Sequence, residues 1–298
     1  MLGQLMFGKI SGLHKRQAGS EKAELSGLAS AGAEHERFVA VKKTSLEPKS
    51  DRSGPAPMIG VLGAKGGSGS TTLAANLAIA LSAEFNSTIL LDADFRQPDL
   101  GQVLAIEPEH SLSEFLARGA DVDAQVLNAC CAPIADSNCR LMAPPEDGSL
   151  AVKASLTDLA RGFSRVRNES DLWVVDLPKQ LDKHFVTFID SCDRILLVFE
   201  ATVPAVAACQ RWLKVFAELG YEQDRIVCVL NRAGSKFSGV EAELKQCFAH
   251  RVFLKIPNAS ALVWDCSTKG QAAYLAQPKH QYSRAVAGLA EYLSKSIR

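Results

Sequence analysis

The feature that most constrains this chain is an apolar run, Met58–Gly63, that passes directly into Ala64-Lys65-Gly66-Gly67-Ser68-Gly69-Ser70-Thr71-Thr72 and on into helical periodicity over Thr71–Phe85. Strand, glycine-rich turn and helix start follow one another without a spacer. A run apolar at almost every position suits a strand buried on both faces. Glycines in the turn let backbone N–H groups close on an anion, and the start of the helix adds the positive end of its dipole. Thr71 opens the helix, where its hydroxyl caps the turn or ligates Mg²⁺. The expectation is a phosphate cradle made by Lys65, Gly66, Gly67, Ser68, Gly69, Ser70, Thr71 and Thr72.

The chain beyond this point keeps the alternation. Further strands are expected at Thr88–Asp92, Arg140–Ala143, Leu172–Leu177, Ile195–Phe199, Ile226–Asn231 and Val252–Ile256. Helices are expected at Ser111–Ala117, Val152–Arg165, Lys183–Cys192, Val203–Leu219 and Gly239–Phe248. This order predicts an α/β fold of the P-loop NTPase type, a mostly parallel twisted sheet with helices on both faces. A last helix, about Gln281–Ile297, sets Tyr282, Val286, Leu289, Leu293 and Ile297 on one stripe that packs on the domain. Residues 1–57 differ in character. They carry nine Lys/Arg against six Asp/Glu and close on Ser53-Gly54-Pro55-Ala56-Pro57, so they read as a flexible segment and linker before a nucleotide-binding domain at 58–298. Leu2, Leu5, Met6, Ile10 and Leu13 have helical spacing, but Gly3, Gly8 and Gly12 weaken that helix by about 1 kcal/mol each relative to Ala.

The usual phosphate-loop pattern is Gly, four residues, Gly, Lys, then Ser or Thr. Aligned on Gly69, this chain has Ala64 at the first position and Ser70 where the lysine belongs. Its lysine, Lys65, stands five residues earlier, directly before Gly66-Gly67. The second strand delivers Asp92-Ala93-Asp94 at its end, where open α/β sheets bind their ligands, and a later one delivers Trp173-Val174-Val175-Asp176-Leu177-Pro178. Val229-Leu230-Asn231-Arg232 ends another strand with an amide able to read a base edge, and Ile256-Pro257-Asn258 ends the next.

Over Met58–Arg298 these motifs resemble the deviant-Walker ATPases of the MinD/ParA group, whose signature is Lys-Gly-Gly. The resemblance implies ATP and Mg²⁺ as ligands and a homodimer in which Lys65 reaches the partner's nucleotide. It also implies that Thr71, Asp92 and Asp176 serve the metal, that Asp94 orients the attacking water, and that Asn231 and Pro257 line the adenine site. The group normally keeps a second lysine; Ser70 supplies no charge there, so hydrolysis is expected to be weak or absent.

Three details are similar to the CpaE/TadZ proteins of Flp (tad) pilus assembly. They are the degenerate loop itself, Asp176-Leu177-Pro178-Lys179 followed by Asp182, and Leu141-Met142-Ala143-Pro144-Pro145. That likeness implies pilus or secretion-machine partners and a cytoplasmic protein placed at a pole or at the membrane through them. Those proteins usually carry a receiver-like domain before this one, and residues 1–57 are too few to fold as one. Two other branches fit less of the chain. Capsule-export tyrosine kinases share Asp92–Pro98 and Ser111–Leu116, but they need the missing lysine and a C-terminal tyrosine cluster. Partitioning ATPases need a basic stripe, and the last helix offers Arg284, Lys295 and Arg298.

Composition excludes little more. A formal net charge of +0 gives no global pull towards nucleic acid or membrane. No apolar run reaches the roughly 18 residues of a membrane span. Eight cysteines without metal-type spacing suit a reducing compartment.

Overall fold

The computed structural model describes residues 54–146, 155–234, Leu244, Phe248 and 252–297. Its strands are β1 (Met58–Gly63), β2 (Thr88–Asp92), β3 (Ala132–Pro133), β4 (Cys139–Met142), β5 (Leu172–Leu177), β6 (Arg194–Phe199), β7 (Ile226–Ala233) and β8 (Val252–Pro257). They form one sheet in the order β3-β4-β2-β5-β1-β6-β7-β8. Every pairing is parallel except that of the edge strand β3 with β4. β1 therefore lies between β5 and β6, and the chain runs outward from it to both sides. Such a switch in strand order opens a crevice beyond the C-terminal ends of the strands.

Both faces of the sheet are covered, as the near-continuous apolar strands require. β1 sends Met58 and Leu62 to one core and Ile59 and Val61 to the other. The first core is aromatic, with Phe115, Phe163, Trp173, Phe185, Phe199 and Phe216. The second is small-residue packing. Helix α1 (Ser70–Leu81) buries Leu73, Ala74, Ala75, Leu77, Ala78 and Leu81 between the sheet and the final helix (Gln281–Ile297), which brings Tyr282, Val286, Leu289 and Leu293. Alanines let α1 lie close to both neighbours, so the loop feeding it is held from two sides.

The expected strands appear within a residue or two at each end. α1 opens at Ser70 rather than Thr71, because Gly69 takes the cap position in the left-handed region, φ 80°. It stops at Leu81 rather than Phe85; the Ser82 hydroxyl donates to the Ile79 carbonyl at 2.8 Å, and a side chain bonding back to the helix competes with its continuation. Ala56 and Pro57, read as linker, are buried, and the Ala56 N–H donates to Asn168 Oδ1 at 2.8 Å. The short helices Leu100–Leu104, Ala124–Ala129, Ser260–Thr268 and Ala273–Ala276 and the two-residue β3 are additions to the expected elements. Most of the expected helix at Gly239–Phe248, the start of that at Val152–Arg165, and residues 1–53 lie outside the described residues. No helix among the described residues is long and apolar enough to cross a membrane. The seven described cysteines are all buried and form no disulfide.

Candidate nucleotide-binding site

The loop after β1 is fixed by its own backbone. The Ala64 N–H donates to the Val198 carbonyl of β6 at 2.8 Å, and the Ser68 N–H donates to the Lys65 carbonyl at 3.2 Å. Gly67 and Gly69 sit at φ 79° and 80°, in the region where a side chain is strained. At Gly63 the constraint is space. A Cβ there would lie 2.8 Å from Ser70 Oγ and 3.2 Å from Lys179 Cε, and closer still to Ser68 Oγ. Ser68 and Ser70 are buried, Gly69, Thr71 and Thr72 half-buried, and Lys65, Gly66 and Gly67 exposed. Ser70 thus turns its uncharged hydroxyl inward at the position where a phosphate loop carries its lysine.

Two carboxylates meet beside the loop. Asp92 on β2 and Asp176 on β5 are register partners at adjacent strand ends. Asp92 Oδ1 accepts from the Asp94 N–H and Oδ2 from the Leu100 N–H, both at 3.0 Å, so both of its oxygens hold the turn after β2. Asp94 is half-buried; its Oδ1 accepts from the N–H groups of Arg96 and Gln97 at 3.3 and 3.1 Å. The Thr71 side chain stands beside Asp176 and favours its charged form, while Asp176 Oδ1 is buried with no hydrogen-bond partner.

Burial disfavours both charges. It pushes Asp92 up to about 7, against the opposing backbone N–H groups of Leu100 and Asp94. Burial also raises Asp176; the Asp92 charge adds to that, and the Thr71 side chain and the Lys179 charge oppose it. A buried carboxylate oxygen without a donor, beside a threonine hydroxyl at a helix start, fits a divalent cation. Among the described residues no three His, Cys, Asp or Glu side chains gather as a metal cage. That suits Mg²⁺, which keeps water and phosphate oxygens in its coordination sphere and needs one or two carboxylates.

The other end of the cleft is a cavity of about 220 Å³ lined by Gly69, Thr72, Asn231, Pro257, Trp264 and Tyr282. Asn231 and Pro257 therefore do meet the loop in space. Asn231 is already engaged: Nδ2 donates to the Ser68 carbonyl at 2.8 Å, and Oδ1 accepts from the Arg232 N–H at 2.9 Å. The β7–β8 register shifts between Leu230 and Ala233, and Arg232 adopts φ 52°. This irregularity re-aims the strand end towards the loop, as bulges do. Arg232 Nη1 in turn donates to the Gly67 carbonyl at 3.1 Å and pairs with Glu200.

All the sequence-predicted residues thus converge at the C-terminal ends of β1, β2, β5, β7 and β8. Two differ from expectation in what they touch: Asn231 spends its amide on the loop, and Asp92 spends its carboxylate on backbone. Two neighbours had no assigned role, Lys179 and Trp264. The Asp-Leu-Pro-Lys run following an apolar strand was the available signal for the first. The second sits on a helix whose apolar residues show no clear stripe.

A model of the CobQ/CobB/MinD/ParA nucleotide binding domain matches residues 59–268, which hold the cradle, both strand-end aspartates, Asn231 and Pro257. The chain belongs to this family. It is 25% identical over 183 residues to the septum site-determining protein MinD of Thermotoga maritima, a match that takes in 59% of this chain and 64% of that protein, so it spans just under two thirds of that relative. Two solved structures share the fold. A ParA family ATPase from Chlorobium tepidum has a TM-score of 0.72 at 22% identity, covering 78% of this chain and 98% of that one. The MinD of Pyrococcus horikoshii, complexed with Mg-ADP, has a TM-score of 0.69 at 21% identity, covering 80% and 96%. As a family member the chain carries a nucleotide-binding domain on a mostly parallel α/β sheet.

Proposed function

We propose that this chain binds ATP with Mg²⁺, pairs with a second copy of itself on the bound nucleotide, and uses that state to assemble or position a Flp/tad-type pilus secretion machine, with little or no hydrolysis. The loop Lys65–Thr72 holds the phosphates through its backbone. Thr71 and Asp176 hold Mg²⁺, and Asp92 supports them by fixing the turn that carries Asp94. Bound Mg²⁺ supplies positive charge to the phosphate oxygens. Asp94 orients water in whatever slow turnover occurs. Asn231 and Pro257 form the wall of the base site. Lys65 stands exposed on the outer side of the loop, which supports a reach towards a partner's phosphates.

The observation that carries this reading is Ser70, buried in the lysine position with no charge to offer. Binding survives on backbone N–H groups and Mg²⁺; rate relies on charge placed where it develops in the transition state. ATP then acts as a switch for assembly. The sequence likeness to CpaE/TadZ supports a pilus as the machine, in the cytoplasm, at a pole or at the membrane through partners. MinD-type positioning or ParA-type partitioning is the second reading, favoured by the Thermotoga maritima relative.

Sedimentation with and without Mg-ATP tests the core of it. The wild type should shift to dimer with ATP, and Lys65→Ala should stay monomeric while remaining folded; identical masses throughout sink the nucleotide-linked dimer. Deleting the gene should abolish pili and leave septum placement and plasmid inheritance unchanged. Misplaced septa or lost plasmids with normal pili decide for the second reading.

A further inference from the structure

A phosphate loop without its lysine leaves an electrostatic gap that bound nucleotide makes worse. Asp92, Asp94 and Asp176 already stand at the site, and a polyphosphate adds more negative charge. Cations near the loop are therefore the place to look. Lys65 lies exposed on the outer side, and Arg232 is engaged with the Gly67 carbonyl and Glu200. Lys179 is also exposed, but the Cε end of its stem lies against the start of the loop. Its Cε and the Ser70 Oγ lie 3.2 and 2.8 Å from the same point, the place a Gly63 Cβ would occupy. The side chain thus ends beside the hydroxyl that stands in the lysine position, although 109 residues separate the two in sequence.

We propose that Lys179 is the resident cation of this phosphate site, reaching the terminal phosphates of the bound nucleotide from the loop after β5 in place of the lysine that Ser70 replaces. The inference rests on the nucleotide reading above. Pro178 before it is buried and fixes its own φ, so the backbone that presents Lys179 is held. Lys179 lines a cavity of about 410 Å³ together with Asp94, Arg96, Gln97 and Gln180; of its two cations Lys179 is the one whose stem reaches the start of the loop. Its charge favours the charged form of Asp176, which stands beside Thr71 at the helix start. An ammonium on a flexible stem is a point charge with three rotatable donors, suited to phosphate oxygens that need no planar fork. The residue positions and neutralises; it breaks no bond.

Calorimetric titration of full-length protein with Mg-ATP and Mg-ADP tests this. Lys179→Gln removes the charge and leaves a polar side chain one atom shorter. Because Lys179 is exposed, its melting temperature should equal that of the wild type. A hydrogen bond to a charged group is worth roughly a 10- to 100-fold change in affinity, so Lys179→Gln should weaken ATP by that order and ADP by less. Lys179→Arg, which keeps the charge, should stay near wild type. Arg211→Gln, an equal charge change at an exposed neighbour along the same surface, should leave both affinities unaltered. Wild-type affinity in Lys179→Gln overturns this inference and leaves the nucleotide reading standing. So does an equal loss in Arg211→Gln, which would mark a diffuse field rather than a site. A wild type that binds neither nucleotide overturns both.

Discussion

At the phosphate end of the cleft, Ser68, Ser70 and Asp176 are buried, and Gly63 has no room for a methyl group. At the end proposed to take the base, Trp264 is 75% exposed and a cavity of about 220 Å³ stands open. The first end is built before any ligand arrives: close-packed, strapped by backbone hydrogen bonds, and loaded with carboxylates that burial holds away from their ordinary ionisation. The second is loosely assembled from a strand end, a proline and one large ring. Geometry at the phosphate end is set by packing and so tolerates little change. The other end is more open, so changes at its exposed residues should cost affinity without costing the fold.

The largest effect should come from Gly63→Ala. The added Cβ meets Ser70 Oγ at 2.8 Å as well as Ser68, and overpacking of a tight site costs about 1–3 kcal/mol. Melting should fall and nucleotide binding should vanish. A variant that melts and binds like wild type breaks the contrast at its root.

Next comes the buried carboxylate pair. Burial raises the folded-state pKa of both residues, that of Asp92 from 3.8 to about 7. A raised folded value means the protonated form stabilises the fold; that contribution is full below about pH 4 and is lost as pH climbs towards 7 and beyond. Asp176→Asn removes one of the two charges and keeps an oxygen beside Thr71. It should melt higher than wild type at pH 8, by about 1–3 kcal/mol of stability, and match it at pH 4. It should also lose the dependence of nucleotide affinity on Mg²⁺. A lower melting temperature at pH 8 would refute the electrostatic account of this end.

The smallest effect belongs to Trp264→Ala. Stability should stay within about 0.5 kcal/mol, as for other surface positions. Stacking of a base on the ring is worth about 1 kcal/mol here, so ATP affinity should drop roughly fivefold, and the wild-type tryptophan emission should change on binding. Unchanged affinity would assign the base to another wall and sharpen the comparison in that form.

Much of the fold was legible because buried parallel strands announce themselves: Leu172–Leu177 and Ile195–Phe199 are apolar at nearly every position, and the structure buries them fully. The cradle was legible because its glycines are local requirements. Two-residue β3 and the helix Ser260–Thr268 were not, since neither has a long enough or regular enough pattern to read. Within the site, the order of Asp92, Asp94 and Asp176 along the chain placed them at strand ends, yet not their tasks. Which oxygen of Asp92 meets which N–H depends on the turn that follows it, and the approach of Lys179 to Gly63 depends on β5 lying beside β1. Both are tertiary facts with no one-dimensional trace.

Asn231 belongs to both ends. Its amide holds the Ser68 carbonyl, and a Cβ on Gly69 would stand 2.5 Å from its Nδ2. The end of β7 and the phosphate loop are therefore bolted together at a point neither can leave without exposing a buried donor and acceptor. A change at the strand end beside Pro257 would therefore be expected to reach Ser68 and Gly69, and a change in the loop to reach β7. On the proposed reading, the two halves of a nucleotide would meet a loop and a strand end pinned to each other by Asn231.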